Sequence, residues 1–523
     1  MPKAKSVTEL RDAIKARGLD FDAVARHGEL LARSLREHTK PQFKILDTCR
    51  IGNGGIVPLA VSDAARGNQP GKHIAGFVPA AGAASRYSRP LADLIAALEA
   101  GDLQAFANGI AGLQAEGAAS WPLPASVVHL IEQPKAALNL DDRAQAALLA
   151  DMQLPKALLP CVTEGLSFLT LKHREHQRLA KTCGLAGQVF IVPPGYESTF
   201  ASELNKQNPS NSMPTHYLPQ GPALSTIRFD KQGCPITDER GDVSPVPAGH
   251  GTLARLFPEV KRLIPAATSV LIRNIDNVIG DGPAAIGATE ALMGLHQIVL
   301  TAVVQIRTAL NSAGGLDLAK AAKVAGSLIG HFGEHLPPPP AELGAIQDPD
   351  ARCLWELQAR VFHANLAATD LSTKALTALY ARPVNTLGQV PNTGKDVGGT
   401  PCFVVMTTGT EKVCLEVPHA SADDKKAFLE DPKRATHFNP VYVVAELVDP
   451  SAYARGDDQF WMMAEKTYKG DAVVYYETVL YELLGNSRLA NSIFVEIPRL
   501  LFNPHKTLSD AMGRRASTWL TEK

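Results

Sequence analysis

The sequence predicts an α/β protein with a mixed, mostly parallel sheet and large helical insertions. Three apolar runs, Ile74 to Val78, Gly187 to Pro193 and Ala267 to Arg273, are typical of buried parallel strands. Helical patterns separate these runs, and such an alternation of strands and helices indicates a sheet with mostly parallel strands. Four further strand-like runs after residue 400 indicate that the sheet resumes beyond a long helical stretch.

Length and charge set limits on this architecture. The 523 residues have room for two or three domains, or for one domain with large insertions. A formal net charge of -1 gives no indication of a nucleic-acid or membrane partner. The N-terminus is charged and lacks the apolar core of a signal peptide, so we expect a cytoplasmic location. Seven scattered cysteines favour reduced thiols over disulfides or structural zinc.

Shifts in composition divide the chain into four predicted regions. Residues 1–72 are an N-terminal helical segment, and residues 73–282 are the first part of the core, with a helical insertion at 91–152. Residues 283–380 are a second helical insertion, and residues 381–523 are the second part of the core with a C-terminal segment. The apolar segment from Ile286 to Ile306 contains Glu290 and His296 and fits a buried helix better than a membrane span.

The loop after the first predicted strand consists of small residues. Residues 80–85 are alanines with one glycine and one serine, and Arg86 and a helical pattern follow. Small residues let backbone N–H groups approach a phosphate chain, and an arginine can grip phosphate oxygens. They also let a helix pack closely on a strand, and spacing alone does not separate these two interpretations.

Ligands of open parallel sheets bind beyond the carboxyl ends of the strands, and Asp276 lies at such an end. A carboxylate there, flanked by Asn274 and Asn277, suits Mg²⁺ when substrate phosphates supply the other oxygens. The alternative is an aspartate that caps the following turn. Lys156 and Lys506 lie beside prolines, which would aim them at phosphate, although both also fit ordinary surface lysines.

Three histidine motifs are candidates for a functional site, and two of them are weak. The turn Gly249-His250-Gly251 would bring backbone close to a flat ring, unless it is only the N-terminal turn of a helix. The spacing of His331 and His335 suits a zinc pair, but no third ligand accompanies them. His173 and His176 belong to a helix from Leu166 to Cys183, and we expect them on its solvated face.

The order of these motifs resembles that of the UDP-sugar pyrophosphorylases. That family has a Gly-rich loop, a Pro-Lys, a Gly-His-Gly-Asp, an Asn-x-Asp-Asn and a late Pro-x-Lys. Here the order is the Arg86 loop, Pro155-Lys156, Gly249 to Gly251, Asn274 to Asn277 and Pro504 to Lys506. Gly398-Gly399 and Thr436 to Pro440 are similar to that family's Lys-Gly-Gly and Phe-Asn-Thr-Asn segments.

From about residue 40 onward the chain resembles more closely a bacterial family catalogued as a domain of unknown function. The shared motifs are Pro-Ala-x-Gly-Ala-x-x-Arg, Pro-Lys-x-Leu-Leu-Pro, Gly-His-Gly-x-Leu, Asn-Ile-Asp-Asn-Val and Ala-Thr-His-Phe-Asn-Pro-Val.

The resemblance implies a GT-A-like (Rossmann-like) nucleotidyltransferase core. It also implies a Mg²⁺-dependent reaction of a nucleoside triphosphate with a sugar 1-phosphate or similar phosphate, releasing pyrophosphate. Asp276 would bind the metal, and Arg86, Lys156 and Lys506 would be catalytic. The implied nucleotide-binding residues are Ala81, Gly82 and Ala83 at the triphosphate, and Gln220, Gly249, His250 and Gly251 around the base.

The chain departs from the pyrophosphorylase pattern at several positions. Ala81 and Ala84 replace glycines, and Thr252 replaces the aspartate of Gly-His-Gly-Asp. Lys156 follows Arg86 by 70 residues (156 minus 86), which places a helical insertion between them. Two other functions therefore stay open: a nucleotide-binding protein without turnover, and a GT-A glycosyltransferase that uses a nucleoside diphosphate sugar.

Overall fold

Strands and helices alternate along the chain, as the α/β class requires. The computed structural model describes residues 7–40, 42–63, 70–82, 84, 86–162, 164–207, 213–279, 282–312, 315–366, 370–394, 398–406, 409–453, 459–468 and 471–512. The strands are β1 (Lys44–Thr48), β2 (Ile74–Pro79), β3 (Gly187–Val192), β4 (Thr215–Pro219), β5 (Ser225–Ile227), β6 (Pro245–Pro247), β7 (Ser269–Arg273), β8 (Val384–Pro391), β9 (Thr400–Met406), β10 (Gly409–Leu415), β11 (His437–Phe438), β12 (Tyr442–Glu446), β13 (Trp461–Tyr468), β14 (Asp471–Thr478) and β15 (Asn491–Glu496).

Most of the longer helices precede residue 381. The helices are α1 (Val7–Ala16), α2 (Phe21–Glu37), α3 (Leu59–Asp63), α4 (Ala92–Glu99), α5 (Leu103–Ala115), α6 (Ala125–Glu132), α7 (Asp142–Met152), α8 (Phe168–Cys183), α9 (Glu197–Gln207), α10 (Phe257–Leu263), α11 (Pro283–Leu310), α12 (Leu318–Phe332), α13 (Pro349–Arg360), α14 (Thr373–Tyr380), α15 (Ala422–Asp424), α16 (Leu480–Leu484) and α17 (Leu508–Ala511).

The chain forms two units, and each is assembled from several stretches of sequence. The larger unit contains Met1–Ile74, Gln220–Ile272 and Ala291–Arg499. The smaller unit contains Ala75–Pro219, Arg273–Glu290 and Leu500–Lys523. The four regions predicted from composition stay a prediction.

The smaller unit is built on three parallel strands. Strand β2 pairs with β3 from Ala75 opposite Gly187, and β3 pairs with β4 from Gln188 opposite Thr215. Nearly every residue of β2 and β3 is buried, which is why both appear in the sequence as continuous apolar runs. Helices α4 to α7 form the predicted helical insertion, and a core that includes Phe106, Ile110 and Val127 holds them together.

Helix α8 packs closely against β2. It begins at Ser167, whose hydroxyl accepts the N–H of Thr170, and ends at Gly184 in the left-handed region. Its His176 ring lies so near Gly76 of β2 that an added Cβ would be 2.5 Å from the ring. A glycine at position 76 therefore lets the strand and the helix approach.

The larger unit contains a sheet of mixed direction. Strand β8 pairs in parallel with β15 and antiparallel with β12 and β11, and β7 lies beside β12. Strands β1, β9 and β10 form a separate antiparallel sheet, and β13 and β14 form a hairpin. The predicted α/β class with a mixed sheet and helical insertions is therefore confirmed, although β1, β8, β13 and β14 are not predicted as strands from the sequence.

Helix α11 is the longest helix in the described part of the chain. It is long and apolar enough to cross a membrane by length and composition, with a mean hydropathy of 1.3 in its most apolar window. Within that window, 67% of the surface is buried inside the protein, as expected of a core helix.

We expect Gly76→Ala to lower the free energy of unfolding by about 1–3 kcal/mol, because the new methyl group would overlap the buried His176 ring. Chemical denaturation of the purified chain measures this change. Gly112→Ala in α5 is the control, since an added Cβ there has no described atom within 4 Å. The control should keep its stability or gain up to about 1 kcal/mol. Equal stabilities of the two variants would contradict the close packing of α8 on β2.

Candidate active site

Two of the predicted site residues are in direct contact in the smaller unit. The ammonium of Lys156 donates a hydrogen bond to Oδ2 of Asp276 at 3.0 Å, although the residues are 120 positions apart. Their side chains are 11% and 21% exposed, so the ion pair is largely shielded from solvent. The contact joins the predicted phosphate-binding lysine to the predicted metal ligand.

The surroundings of Lys156 fix its direction. The residue opens a short 3₁₀ turn after Pro155, and its backbone N–H bonds to the carbonyl oxygen of Gly82 at 3.3 Å. Its ammonium lies 5.6 Å from the ring centroid of Tyr87 and 5.3 Å from that of Phe168. Two aromatic faces and one carboxylate therefore stabilise this largely buried cation.

Two further cations act on Lys156. Burial lowers the pKa of its ammonium below the ordinary value, and the Asp276 carboxylate opposes that effect. The positive charges of Arg86 and Lys506 lower the pKa further, by smaller amounts. Arg86 is exposed and Lys506 is half-buried. All four residues belong to the smaller unit, and we call Arg86, Lys156, Asp276 and Lys506 the charged cluster.

The C-terminal segment is tied to the turn that carries Asp276. The N–H of His505 donates to the backbone oxygen of Asp276 at 2.8 Å, and Pro504 forms a bridge with Asn277. The carboxylate of Asp510 accepts the N–H groups of Lys506 at 2.9 Å and Thr507 at 2.8 Å. These bonds lower the pKa of Asp510 although burial raises it, so the carboxylate that anchors Lys506 stays charged.

A buried ionic network supports the Asp276 turn from within the fold. Glu175 pairs with Lys172 at 3.1 Å and with Arg273, and all three residues are nearly inaccessible to solvent. Lys172 and Arg273 also donate to the backbone oxygen of Asn277, at 2.8 Å and 3.2 Å. Burial and the charge of Arg273 hold the pKa of Lys172 well below its ordinary value.

This network corrects the prediction that α8 exposes a charged face. His173 and His176 are 1% and 0% exposed, and both bond to the side chain of Gln188 on β3. Charged residues in a helix usually indicate a solvent-exposed face, but here Arg273 supplies a counter-charge from a distant part of the chain. The roles of Lys172, Glu175 and Arg273 therefore leave no local signal in the sequence.

The small-residue loop combines tight packing with one open position. Ala84 is buried in the core of the smaller unit, so its methyl group has a packing role where a glycine was expected. Ala81 is half-buried and Gly82 is exposed. An added Cβ at Gly82 would meet no described atom within 4 Å, so the backbone there faces open space. Ala83, also predicted to bind nucleotide, lies outside the described residues.

The residues predicted to border the base belong to the larger unit. Gln220 is half-buried and His250 is exposed. Gly249 has a φ of +84°, and an added Cβ would lie 2.3 Å from the backbone oxygen of Thr478. The hydroxyl of Thr252 donates to the Gly249 carbonyl at 2.8 Å, and a 3₁₀ helix runs from His250 to Leu256. Close packing against β14 therefore explains why position 249 is a glycine, whether or not a base binds there.

Two other motifs of the larger unit meet each other. Gly399 and Asn439 form an antiparallel bridge, and the N–H of Asn439 donates to the Gly399 carbonyl at 2.8 Å. An added Cβ at Gly399 would lie 2.2 Å from the Tyr481 ring, so a larger residue does not fit. The segments predicted as counterparts of Lys-Gly-Gly and Phe-Asn-Thr-Asn are thus neighbours in space.

The charged cluster contains one carboxylate that could bind a magnesium ion, that of Asp276. In the part of the chain that the structure describes, no group of three or more histidine, cysteine or acidic residues is placed to hold a metal. Asp276 is partly exposed and its Oδ2 already accepts a cation, the Lys156 ammonium. One such oxygen suits Mg²⁺, which takes one or two carboxylates and completes its shell with phosphates and water.

Part of the chain matches a known family. Residues 354–515, about a third of the sequence, match the family model described as "Domain of unknown function (DUF4301)". The resemblance to an uncharacterised family is confirmed over this stretch. No curated protein sequence matches the chain.

Several solved structures have a similar arrangement of elements. The uridine diphosphate N-acetylglucosamine pyrophosphorylase from Trypanosoma brucei, in complex with an inhibitor, is 12% identical, with 97% of this chain and 79% of that chain covered and a TM-score of 0.46. The UDP-glucose pyrophosphorylase from Leishmania major is 15% identical, with 69% of this chain and 61% of that chain covered and a TM-score of 0.40. The chain spans about three fifths of the length of that enzyme.

We expect Glu175→Gln to lower the free energy of unfolding by about 3–5 kcal/mol, because Arg273 would lose the Glu175 carboxylate and stay buried. Denaturation followed by circular dichroism measures the loss. Glu132→Gln, on the exposed end of α6, is the matched control and should change stability by less than about 0.5 kcal/mol. If both variants were equally stable, the buried network would not support the Asp276 turn.

Proposed function

We propose that the chain is a Mg²⁺-dependent nucleotidyltransferase that joins a nucleoside triphosphate to a sugar 1-phosphate or a similar phosphate and releases pyrophosphate. The observation that carries this proposal is the contact between Lys156 and Asp276 at 3.0 Å, with Arg86 and Lys506 acting on the same ammonium. Three cations around one carboxylate leave excess positive charge, which a triphosphate would neutralise.

The reaction needs charge neutralisation and alignment, and no protein nucleophile. An oxygen of the acceptor phosphate attacks the α-phosphorus of the triphosphate, and the bond from that phosphorus to the pyrophosphate oxygen breaks. Both reactants are anions, so the main task of the site is to reduce their repulsion and hold them in line. When bound at Asp276, Mg²⁺ would neutralise phosphate charge and polarise the oxygens it contacts.

The cations of the cluster suit different parts of this task. Arg86 is exposed at the end of the loop and can grip two phosphate oxygens with its planar guanidinium. Lys506 is half-buried and anchored through its backbone to Asp510, so it is suited to the α-phosphate or the acceptor phosphate. The open space at Gly82 would admit the phosphate chain to the backbone.

Lys156 has two alternative partners in this scheme. Without ligand it occupies the carboxylate that the metal requires. A triphosphate would draw its ammonium toward phosphate oxygens, and Asp276 would then be available to the metal. Binding of nucleotide and metal is therefore coupled through one ion pair.

The residues proposed to border the base belong to the larger unit. They are Gln220 and the backbone from Gly249 to Gly251, and the exposed side chain of His250 supports their accessibility to a ligand.

The competing functions make different predictions in one set of assays. Pyrophosphate release from a panel of nucleoside triphosphates and sugar 1-phosphates supports the transferase. Stabilisation by a nucleotide without release across that panel would indicate a binding protein. Sugar transfer from a supplied nucleoside diphosphate sugar would indicate a glycosyltransferase.

We expect Asp276→Ala to abolish Mg²⁺-dependent pyrophosphate release, because the metal would lose its only described carboxylate ligand. The fold should be intact, since the Asp276 side chain is partly exposed. The exposed Asp93 of α4 provides the control, and Asp93→Ala should retain full activity. Normal turnover by Asp276→Ala would remove Asp276 from the metal site.

We expect Lys506→Ala to lower kcat by roughly 100-fold or more, because it removes a charge that acts on the transition state. Steady-state kinetics with saturating triphosphate measure this change. Lys135→Ala, at an exposed lysine of the same unit, is the matched control and should keep its kcat. Unchanged kinetics of Lys506→Ala would place Lys506 outside the site.

We expect Lys156→Met to bind Mn²⁺ more tightly than the natural chain when no nucleotide is present, because the competing ammonium is gone. The same variant should bind the triphosphate more weakly. Titration calorimetry measures both affinities, and neither depends on turnover. A loss of Mn²⁺ affinity in Lys156→Met would contradict the competition for Asp276.

A further inference from the structure

A cavity lies in the larger unit, and none of the residues assigned to the proposed reaction lines it. Its volume is about 270 Å³. The walls come from β9 and β10, from the end of α13 with the residues that follow it, and from the proline run at 337–340. This volume is close to the lower end of the range for small-molecule sites, roughly 300–1,000 Å³. The cavity therefore suits a ligand smaller than a nucleotide.

The cavity is lined by a buried cation that has no described counter-ion. Lys412 is 1% exposed, and its ammonium donates to the carbonyl of Ser492 at 3.0 Å and lies 4.7 Å from the Phe494 ring centroid. Within the described residues, no carboxylate oxygen comes within 4 Å of that ammonium. A buried charge without an opposite charge is costly, and an anionic ligand in the cavity would supply the partner.

The charge of Lys412 persists at neutral pH. Burial lowers the pKa of its ammonium to about 8, and the Cys49 thiol opposes this effect. The ammonium is therefore still mostly protonated at pH 7 and attracts an anion. A neutral amine would offer only a hydrogen bond, so the attraction weakens above pH 8.

A strained histidine lies beside this lysine. His363 has a φ of +59°, which is rare for a residue with a side chain. Its Nε2 lies 2.9 Å from the carbonyl oxygen of Gly54, so that nitrogen carries the proton. Burial and the charge of Lys412 hold the pKa of the imidazole well below its ordinary value, so the ring is neutral. Its position next to the cation is held despite the backbone strain.

The remaining walls combine a second cation with apolar surface. Arg360 lines the cavity, where its Nε donates to the carbonyl of Pro337 at 2.7 Å. Its Nη1 also donates to the carboxylate of Glu356 at 2.5 Å, so this cation already has a counter-ion. Phe403, Leu366 and the prolines supply apolar surface, and the one carboxylate in the lining, Glu342, is exposed. An anionic head with a short apolar body matches this lining better than an inorganic anion.

We propose that this cavity binds a small organic carboxylate, whose carboxyl group pairs with Lys412 while its apolar part lies against Phe403 and the proline run. The proposal stands independently of the nucleotidyltransferase function, because none of the charged cluster lines the cavity.

Titration calorimetry with the full chain tests this, with benzoate as the probe and benzyl alcohol as the neutral probe of similar shape. We expect saturable binding of benzoate and none of the alcohol. Lys412→Met should weaken benzoate binding by roughly tenfold or more, because a charged hydrogen bond is lost. Lys156→Met is the matched control and should bind benzoate like the natural chain, which separates this site from the charged cluster.

A second variant tests the site without removing the lysine. Ala364→Leu adds bulk to the lining and should also abolish binding, even if Lys412→Met failed to fold. Three results would overturn the proposal: no saturable benzoate binding by the natural chain, equal binding by Ala364→Leu, or phosphate bound more tightly than benzoate.

Discussion

The buried carboxylate of Glu175 is the group on which the geometry of the charged cluster depends. It neutralises Arg273 and accepts a hydrogen bond from Lys172, and both cations donate to the backbone oxygen of Asn277. The turn before that oxygen carries Asp276. An ionic network inside the fold thus supports the turn whose carboxylate pairs with Lys156.

The charged cluster is electrostatically incomplete without an anion. Lys156 pairs with Asp276, and burial is the main reason why the pKa of its ammonium is lowered, with the charges of Arg86 and Lys506 adding to that effect. A protein that kept such a cluster only for stability would gain more from a second carboxylate than from a third cation. Under the proposed function, the ion pair of Lys156 and Asp276 is one of two states, and a triphosphate and a metal would replace it in the other.

Sequence reasoning predicted the parts of this structure whose causes are local. Strands such as β2 are continuous apolar runs, and the order of short motifs correctly grouped Asp276 with Lys156. It missed β8 because buried polar residues interrupt the apolar pattern: Asn385 is satisfied by Leu484 and Tyr453, which lie about 70–100 residues away. The exposed face predicted for α8 was wrong for the same reason, since the partner of Glu175 comes from another part of the chain. Long-range pairing of polar groups leaves no local signal.

The exchange of partners at Asp276 is the central claim of this account. Crystals of the full chain grown with a nucleoside triphosphate and Mn²⁺ test it directly, because anomalous scattering locates the metal. The account predicts a manganese ion bound to the Asp276 carboxylate, with the Lys156 ammonium moved to a phosphate oxygen. A bound nucleotide with its metal elsewhere, and Lys156 still paired with Asp276, would contradict it.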